Sequence, residues 1–384
     1  MKILFWFIFG VIFFAYFGYP IVLYILSKVF GCKRNQEFNR NELPYVSMLI
    51  AAYNEEKVIG AKIENCLQLD YPKDLLSVWI ASDGSSDDTN NIVKKYANVH
   101  KNIHLLEFPR TGKSGMLNEA IKSIKDKIVV FSDANTEYSP DAVKKLVMHF
   151  YDPSVGCVSG RLIYRNPGET ISGKGESFYW RYETLLKKLE SKLGYVAGAN
   201  GAIYAIRKEL FEPFSRRTIN DDFTLSMKIV KKGFKCLYEE NALVYEDVAP
   251  TMVSEFNRHV RDGAGHYIAI VALLGLLNPL VGLRSFIYWS HRILRWMVPF
   301  LLIFLFIINI TLFNEGIYKA LFAVQVIFYV SAIIGWLGIK YFKLPFILYV
   351  PFYFCNLNLA LLMGFFKAVA NTQKTTWERT ERVV

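Results

Sequence analysis

The sequence has few residues that would suggest a disulfide scaffold or a zinc site. Its five cysteines are isolated, without a CxxC pair or a spacing typical of metal ligands, so we expect buried, reduced thiols. The six histidines are scattered, and motifs typical of nucleic-acid binding are absent. These absences argue against disulfide-rich, zinc-dependent and nucleic-acid-binding proteins. The cysteines are Cys32, Cys66, Cys157, Cys236 and Cys355.

Acidic residues are fewer than basic ones, and the formal net charge is +11. A basic surface could serve a nucleic acid. However, lysines and arginines beside apolar segments typically face the anionic headgroups of a cytoplasmic leaflet. We therefore expect a lipid bilayer, and no nucleic acid, among the partners of this chain.

Apolar residues are abundant and unevenly distributed. Hydrophobic residues make up 53% of the chain and aromatic residues 16%, and the mean hydropathy of +0.22 is high for a soluble enzyme. The excess falls in residues 3–26 and 267–370. The sequence thus predicts a membrane anchor over residues 1–30, a globular domain over 44–262, a helical membrane region over 263–370 and a polar tail over 371–384.

The first apolar segment is long enough to cross a bilayer. A cleaved signal peptide would have a shorter apolar run and a small-residue cleavage site. Here four basic residues follow the run, which predicts an uncleaved anchor in a multi-pass protein of the cell (inner) membrane, with the globular domain in the cytoplasm. The basic residues are Lys28, Lys33, Arg34 and Arg40.

The C-terminal region contains several membrane candidates. Residues 287–310 and 317–339 have the length and hydropathy of transmembrane helices. Residues 346–366 are weaker, because Pro351, Asn356 and Asn358 favour a re-entrant or protein-packed helix. Residues 267–283 are short and interrupted at Asn278-Pro279, which favours an interfacial or re-entrant segment.

Strands and helices alternate through the central region. Strands are predicted at residues 46–52, 76–81, 103–108 and 128–132, and helices at 55–67, 89–96, 113–124 and 140–149. This alternation predicts an α/β fold with a doubly wound sheet. Ligands bind beyond the carboxyl ends of the strands in such sheets, where Asn54, Asp83 and Asp133 fall.

Four short acidic motifs occur in order along this region. Three have simple structural alternatives: a turn and helix cap, an Asx turn, and the N-cap of an amphipathic helix. Equally, carboxylates at a sheet edge could bind a base or ribose, share a divalent cation with phosphates, or accept a proton from a hydroxyl group. The motifs are Ala51-Ala-Tyr-Asn-Glu-Glu56, Ser82-Asp-Gly-Ser-Ser-Asp-Asp-Thr89, Ser132-Asp-Ala-Asn135 and Asn220-Asp-Asp222.

A basic loop, Arg110-Thr-Gly-Lys-Ser-Gly115, precedes one of the predicted helices. It is not the P-loop motif, but Lys113 stands at a helix N-terminus, where anions are favoured. The alternative is a solvated basic turn.

With these motifs the chain resembles the membrane-integrated family 2 glycosyltransferases of GT-A fold, which include cellulose, hyaluronan and chitin-oligosaccharide synthases and ceramide glucosyltransferase. The resemblance covers nearly the whole chain. It implies a doubly wound mixed sheet flanked by transmembrane and interfacial helices. It also implies the assignments of individual residues that follow.

By this resemblance, Tyr53 and Glu55 line the nucleotide base and Asp83 binds uridine. Lys113 contacts the nucleotide, and Asp133 and Asn135 occupy the two metal-binding positions of the DXD motif. Asp222 is the catalytic base. The acceptor side of the site comprises Gly198 and Asn200, in the loop Gly198-Ala-Asn-Gly201, together with Asp221.

The chain departs from the family pattern at two places. Asn135 is neutral, but its carbonyl oxygen can still coordinate a cation. Relatives also have a (Q/R)xxRW motif after the base, on an interfacial helix. We expect Arg258 and Arg261 to take this role and bind the diphosphate, although Asp262 replaces the tryptophan. The alternative is the literal match Arg292-Ile-Leu-Arg295-Trp296, which leads into a membrane span.

Two functions from different classes follow. The first is an inverting glycosyltransferase, dependent on Mg²⁺ or Mn²⁺, that moves a sugar from a UDP-sugar to a lipid or a growing glycan at the cytoplasmic face. The second is a non-catalytic membrane subunit with a decayed transferase domain, against which the intact Asp83, Asp133 and Asp222 argue. A channel or transporter would place charges inside the spans, and residues 299–339 have only Glu315 and Lys319, at a loop.

Overall fold

The computed structural model describes residues 1–31, 43–165, 171–247, 252–339, 341 and 344–375, and the backbone alone over residues 171–179. Within them the central element is an eight-stranded sheet in the order β3-β2-β1-β4-β7-β6-β8-β5. Its strands are β1 Val46–Ala52, β2 Leu76–Asp83, β3 Ile103–Phe108, β4 Ile128–Asp133, β5 Glu137–Tyr138, β6 Val155–Arg165, β7 Tyr204–Arg207 and β8 Lys235–Asp247.

Helices surround and follow this sheet. Two π-helical segments, Phe14–Gly18 and Trp289–Ile293, join α1 to α2 and α10 to α11. Short 3-10 turns occur at Met148–Tyr151, Lys208–Leu210, Leu274–Leu277 and Pro279–Val281. The helices are α1 Lys2–Phe13, α2 Tyr19–Val29, α3 Ile59–Leu67, α4 Thr89–Val99, α5 Lys113–Ser123, α6 Ala142–Val147, α7 Ile171–Lys192, α8 Asp221–Lys231, α9 Met252–Ala272, α10 Leu283–Tyr288, α11 Leu294–Thr311, α12 Ile317–Gly338 and α13 Phe346–Val369.

The sheet is mixed, as the resemblance implied. Strands β3, β2, β1 and β4 are parallel, whereas β7 pairs antiparallel with both β4 and β6. In the register, Ala51 lies opposite both Ala81 and Asp133. The carboxyl ends of β1, β2 and β4 therefore meet at one edge, which confirms the predicted fold class and brings the motifs together.

Strand β1 is buried on both faces, because it lies inside the sheet and helices cover each side. Met48 and Ile50 join one hydrophobic cluster, and Leu49 and Ala51 join the cluster on the opposite face. Each buried Met, Leu or Ile side chain contributes about 1.5–3 kcal/mol by removal from water. The continuous apolar sequence of this strand is thus a consequence of two-sided burial.

The helix predicted over residues 55–67 begins later, at Ile59. Asn54 has a positive φ of 53°, and the backbone N–H of Glu55 donates to the Thr89 hydroxyl at 2.8 Å. These contacts hold the preceding residues in a turn against the loop after β2. The helix predicted over residues 140–149 is likewise shorter, because it becomes a 3-10 turn from Met148.

Three cysteines, Cys66, Cys157 and Cys236, are buried and unpaired as the sequence predicted, and Cys355 is half-buried. Cys32 and the basic residues Lys33, Arg34 and Arg40 lie outside the described residues.

Four helical segments of the described residues are long and apolar enough to cross a membrane: Lys2–Val29, Leu283–Thr311, Ile317–Gly338 and Phe346–Val369. The last continues through Pro351 without a break, so the sequence argument for a weakened helix is not reflected in its geometry. Whether it crosses a bilayer stays a prediction. The interruption expected at Asn278-Pro279 is present as two 3-10 turns, and α9 runs unbroken through the proposed domain boundary at residue 262.

Helices α9 and α13 pack closely, because small residues face each other at their contact. A Cβ atom added to Gly364 would lie 2.7 Å from the Ala264 nitrogen and 2.8 Å from the Val260 carbonyl oxygen. Gly263 faces the Leu361 backbone in the same way. This contact connects the last apolar helix to a helix that also packs against α8.

Replacing Gly364 with leucine should force α9 and α13 apart. We expect the Gly364→Leu variant to lose about 1–3 kcal/mol of stability, seen as a lower melting temperature in detergent. Gly10→Leu is the matched control, because nothing lies within 4 Å of a Cβ at Gly10. Equal melting temperatures for the two variants would contradict this packing.

Candidate functional site

Asp83 ends β2 and lies fully buried beneath the basic loop. Its carboxylate accepts hydrogen bonds from the Arg110 guanidinium at 2.6 Å, the Thr111 N–H at 2.7 Å and the Gly112 N–H at 3.0 Å. The Arg110 guanidinium also stacks 3.3 Å from the centre of the Tyr53 ring. The structure thus brings Tyr53 and Asp83 together, with Asp83 holding the basic loop in place. Their contact with a nucleotide stays a prediction.

Glu55 is buried in the turn that follows β1. Two hydrogen bonds connect this turn to the loop after β2. The Glu55 N–H donates to the Thr89 hydroxyl, and the Glu56 N–H donates to the Asp87 carboxylate at 3.1 Å. Asp87 also accepts from the Thr89 N–H at 3.1 Å. The acidic stretch after Asp83 therefore joins two strand ends and starts α4, so part of its sequence has a structural role.

Lys113 is the first residue of α5 and extends toward the carboxyl end of β4. Its ammonium lies 2.8 Å from Asp133 and 3.6 Å from Asp221. Burial disfavours the charged form, but the carboxylates of Asp133, Asp221 and Asp222 outweigh this effect and raise the pKa of Lys113. The side chain is therefore a permanent cation at the centre of the site.

The two aspartates that open α8 differ in their surroundings. Asp221 is buried, one of its oxygens has no hydrogen-bond partner among the described residues, and burial raises its pKa. Asp222 is half-buried, and its carboxylate accepts the Phe223 N–H at 2.7 Å. Burial, with the neighbouring charge of Asp221, raises the pKa of Asp222 to about 6. A carboxylate with such a pKa is a stronger base than an ordinary aspartate.

Asp133, the last residue of β4, and Asn135 are the predicted cation ligands. The Asn135 amide nitrogen donates to Glu246 at 2.7 Å, a contact that does not involve its carbonyl oxygen. No group of three or more His, Cys, Asp or Glu side chains in the described part of the chain could hold a metal ion alone. Yet three carboxylates act electrostatically on the single ammonium group of Lys113, and the unpartnered Asp221 oxygen adds to this negative excess. The residues therefore fit a hard divalent cation that shares its coordination with phosphate oxygens.

The 198–201 loop lies against the start of α8. Its Ala199 N–H donates to the Ser226 hydroxyl at 2.9 Å, and Ser226 in turn donates to the Asp222 carbonyl at 2.8 Å. Gly198 has a φ of 108°, which favours glycine, and a Cβ added at Gly201 would lie 3.0 Å from the Asp222 carboxylate. The loop and Asp222 thus border the same space.

The residues expected on the acceptor side therefore take different places. The Asn200 backbone N–H donates to the Ser159 hydroxyl at 3.0 Å, and the Asn200 side-chain oxygen accepts a hydrogen bond from the Ala202 N–H at 3.2 Å. Gly198 lies beside the Phe223 ring. Asp221 faces Lys113, on the side of Asp133.

The two expected diphosphate ligands are both on α9 but have different surroundings. Arg258 donates to the Tyr164 hydroxyl at 3.2 Å, near the end of β6. Arg261 lies close enough to Asp221 to lower the pKa of that carboxyl, opposing the effect of its burial. The Asp262 carbonyl accepts from the Asn220 side chain at 2.9 Å, which ties α9 to the N-terminus of α8. Arg261 thus lies within electrostatic range of the acidic centre.

The arginines of the literal RxxRW match are held by protein groups. The Arg292 Nε donates to the Ala197 carbonyl at 2.7 Å, and Arg295 pairs with Glu183 at 2.6 Å. Trp296 stacks on His266, with ring centres 4.9 Å apart. This arrangement favours a structural role for Arg295 and Trp296.

Sequence reasoning missed the buried glutamates Glu183 and Glu190. They are seven residues apart on α7 and therefore share a helix face. Leu186 and Leu189 are buried on the same helix, so two acids on an apolar face were the available signal. Their partner His291 is 101 residues from Glu190 in sequence, and no local pattern connects the two.

The chain resembles known proteins in sequence and in fold. Residues 47–213 match the sequence profile of the family Glycosyl transferase family 2. The beta-monoglucosyldiacylglycerol synthase of Trichormus variabilis is 28% identical over 254 residues, covering 64% of this chain and 54% of that protein. The poly-beta-1,6-N-acetyl-D-glucosamine synthase of Staphylococcus aureus is 27% identical over 253 residues, covering 64% and 60%. The chain therefore spans little more than half the length of these curated relatives.

Among solved structures, the mannosyltransferase PcManGT from Pyrobaculum calidifontis, in complex with GDP-Man and Mn²⁺, has the same fold. Superposition of the two chains gives a TM-score of 0.69 at 21% sequence identity. The matched region covers 96% of this chain and 99% of the mannosyltransferase, so the likeness includes the flanking helices. Residues 47–213 thus match a glycosyl transferase family 2 domain, and the chain has a fold of GT-A type.

Proposed function

We propose that this chain transfers a sugar from a UDP-sugar to a hydroxyl group of a membrane-associated lipid or glycan, with inversion at the anomeric carbon. The observation that carries the proposal is the arrangement around Lys113, with Asp133 on one side and Asp221 on the other. Asp222, at the start of the same helix as Asp221, faces the 198–201 loop. A cation for a diphosphate and a basic carboxylate for a hydroxyl group thus lie within electrostatic range of each other.

In this mechanism Asp222 accepts the proton of the acceptor hydroxyl as its oxygen attacks the anomeric carbon. The bond from that carbon to the UDP oxygen breaks on the opposite face, and UDP leaves with the bonding electrons. Lys113, with Arg258 and Arg261, compensates the charge that develops on the diphosphate. Asp133 and Asn135 would hold Mg²⁺ or Mn²⁺, and such an ion would supply further charge compensation for the leaving group.

The proposed donor and the proposed acceptor are supported by different observations. The related mannosyltransferase was solved with GDP-Man and Mn²⁺, so GDP-sugars belong in the test beside UDP-sugars. One curated relative is named for a glucosylated diacylglycerol and another for a polysaccharide. Four candidate membrane helices support an acceptor within or beside the bilayer, and the catalytic domain would face the cytoplasm.

A non-catalytic subunit is the alternative. A decayed site would be expected to lose the groups that have no structural partner. Here the buried Asp221 keeps its charge-bearing side chain with an unpartnered oxygen, and Asp222 keeps a raised pKa. This favours an intact enzyme.

The deciding experiment is transfer from radiolabelled UDP- and GDP-sugars into membranes that contain the full chain. Products are then separated into lipid-soluble and polymeric fractions. We expect label from a UDP-sugar in one of them. Membranes with the Asp222→Asn variant are the control, and equal labelling by both proteins, or none from any sugar nucleotide, would contradict the proposal.

Asp222→Asn should lower turnover by about 100-fold or more, because the acceptor proton loses its base, while UDP affinity changes little. In the wild type, kcat/KM should fall as the pH drops through about 6, where Asp222 becomes protonated, and should level off above it. Asp221→Asn serves as the comparison. Full turnover in Asp222→Asn would move the role of base to Asp221.

Removal of divalent cations with EDTA should abolish transfer, and Mg²⁺ or Mn²⁺ should restore it. Asn135→Asp should bind the cation more tightly, yet melt at a lower temperature without it, because the introduced carboxylate and Glu246 would repel each other. The double variant Asn135→Asp/Glu246→Gln is the matched control and should regain that stability. Full activity in EDTA would mean that these residues form only a turn.

Arg258→Ala and Arg261→Ala should each weaken UDP binding, measured by calorimetry with Mn²⁺, more than Arg292→Ala or Arg295→Ala. Arg295→Ala should instead destabilise the protein, because it leaves the buried Glu183 with one cation fewer. Arg261→Lys, which keeps the charge, is the control for the first pair. The reverse order of UDP affinities would assign the diphosphate to the literal motif.

A further inference from the structure

Both polar backbone groups of the buried Ala197 are held by charged side chains. Its N–H donates to the Glu190 carboxylate at 2.9 Å, and its carbonyl accepts from the Arg292 Nε at 2.7 Å. Ala197 directly precedes the 198–201 loop. The two side chains come from α7 and from the π-helical segment Trp289–Ile293, so distant parts of the chain meet at this residue.

Glu190 is itself fixed from the side of the N-terminal apolar helix. One oxygen of its carboxylate accepts from the Tyr19 hydroxyl at 2.7 Å and from His291 at 2.5 Å, and the other is the oxygen that holds Ala197. The second ring nitrogen of His291 faces Glu183 at 3.2 Å. The imidazole of His291 therefore bridges the carboxyl groups of Glu190 and Glu183.

Arg295 completes the cluster. It pairs with Glu183 and donates to the Tyr182 hydroxyl at 3.0 Å and to the Ala15 carbonyl at 3.4 Å. Ala15 lies in the other π-helical segment, Phe14–Gly18. Both interruptions of the apolar helices therefore meet at this cluster, and π-helical segments frequently occur at functional sites. The catalytic mechanism above uses none of these charged groups.

The contacts of Glu190 and Arg292 with the Ala197 backbone, which we call the Ala197 clamp, affect the surroundings of Asp222 through the next residues of the loop. A Cβ added to the next residue, Gly198, would lie 2.6 Å from the Phe223 ring, so the loop is pressed against the residue that follows Asp222. Ser226, which is also on α8, holds Ala199. The loop is thus fixed between α8 and the charged cluster, to which the apolar helices contribute Tyr19, His291, Arg292 and Arg295.

We propose that Glu190 and Arg292 are positioning residues that hold the 198–201 loop against Asp222, and that the apolar helices set the loop position through Tyr19 and His291. This inference rests on the proposed function, in which the loop borders the acceptor. Arg292 then acts through the Ala197 carbonyl and not as a diphosphate ligand. The apolar helices accordingly shape the acceptor site in addition to anchoring the domain.

Hydrogen–deuterium exchange of the full chain in detergent micelles tests the clamp without any ligand. In Glu190→Gln and Arg292→Lys, amides of residues 194–203 should exchange about 10- to 100-fold faster, since each variant weakens a charged hydrogen bond, while β1 stays protected. Arg284→Lys is the matched control, because Arg284 donates to the Val230 carbonyl away from the loop. If Glu190→Gln does not fold, Arg292→Lys suffices, because it leaves Glu190 and His291 paired.

Unchanged loop exchange in Arg292→Lys would overturn the inference. Faster exchange throughout the domain would also overturn it, because the cluster would then serve stability alone.

Measurements of UDP binding and of sugar transfer distinguish a positioning role of Arg292 from a role in nucleotide binding. Calorimetry with UDP and Mn²⁺ should give the same Kd for Arg292→Lys and the wild type. Sugar transfer by the variant should fall about 10-fold or more, whereas hydrolysis of the same UDP-sugar by water, which needs no placed acceptor, should persist. Loss of UDP affinity with an unchanged loop would make Arg292 a diphosphate ligand and overturn the inference. A wild type without transfer, but with loop exchange that rises in the variants, would support the clamp and contradict only the proposed function.

Discussion

The candidate site depends on one ammonium group that lies among carboxylates. Lys113 at the start of α5 reaches Asp133 at the end of β4 and Asp221 at the start of α8, so a single side chain joins three elements. Without it, the carboxylates would repel one another in a partly buried site. With it, a negative excess remains, which is the condition under which a divalent cation and a diphosphate bind together.

The two aspartates at the start of α8 have different surroundings. Asp221 faces Lys113, whereas Asp222 faces the 198–201 loop and has a pKa raised to about 6. Adjacent residues at a helix start point in different directions, since each step turns the side chain by about 100°. One carboxylate therefore contacts Lys113 while its neighbour borders the 198–201 loop, which is the arrangement that the proposed mechanism uses.

The apolar helices and the catalytic sheet form a connected structure through polar contacts. Tyr19, Glu190, His291 and Arg295 connect the N-terminal helix, α7 and the first C-terminal apolar helix in a buried network. Buried ion pairs of this kind contribute little net stability compared with apolar packing, but they tolerate few alternative arrangements. Such a network suits the task of placing a loop more than that of stabilising a fold.

Local patterns in the sequence were enough for much of this fold. The strands β1 and β3 have the predicted bounds, because buried parallel strands appear as short apolar runs between polar loops. The apolar helices were also predicted, since length and hydropathy are local properties. The placement of Asp83 and Asp133 at one edge followed from the parallel order of their strands.

Other features were decided only by tertiary structure. The turn before α3 replaced a predicted first helical turn, because its N–H groups pair with residues more than 30 positions later. Asn135 pairs with Glu246, and Glu190 with His291, over separations of 111 and 101 residues. Composition and periodicity describe which face of an element is buried, but not which distant charge it meets there. That choice depends on how the helices after the sheet fold back onto α7 and α8, and the position of the 198–201 loop depends on it too.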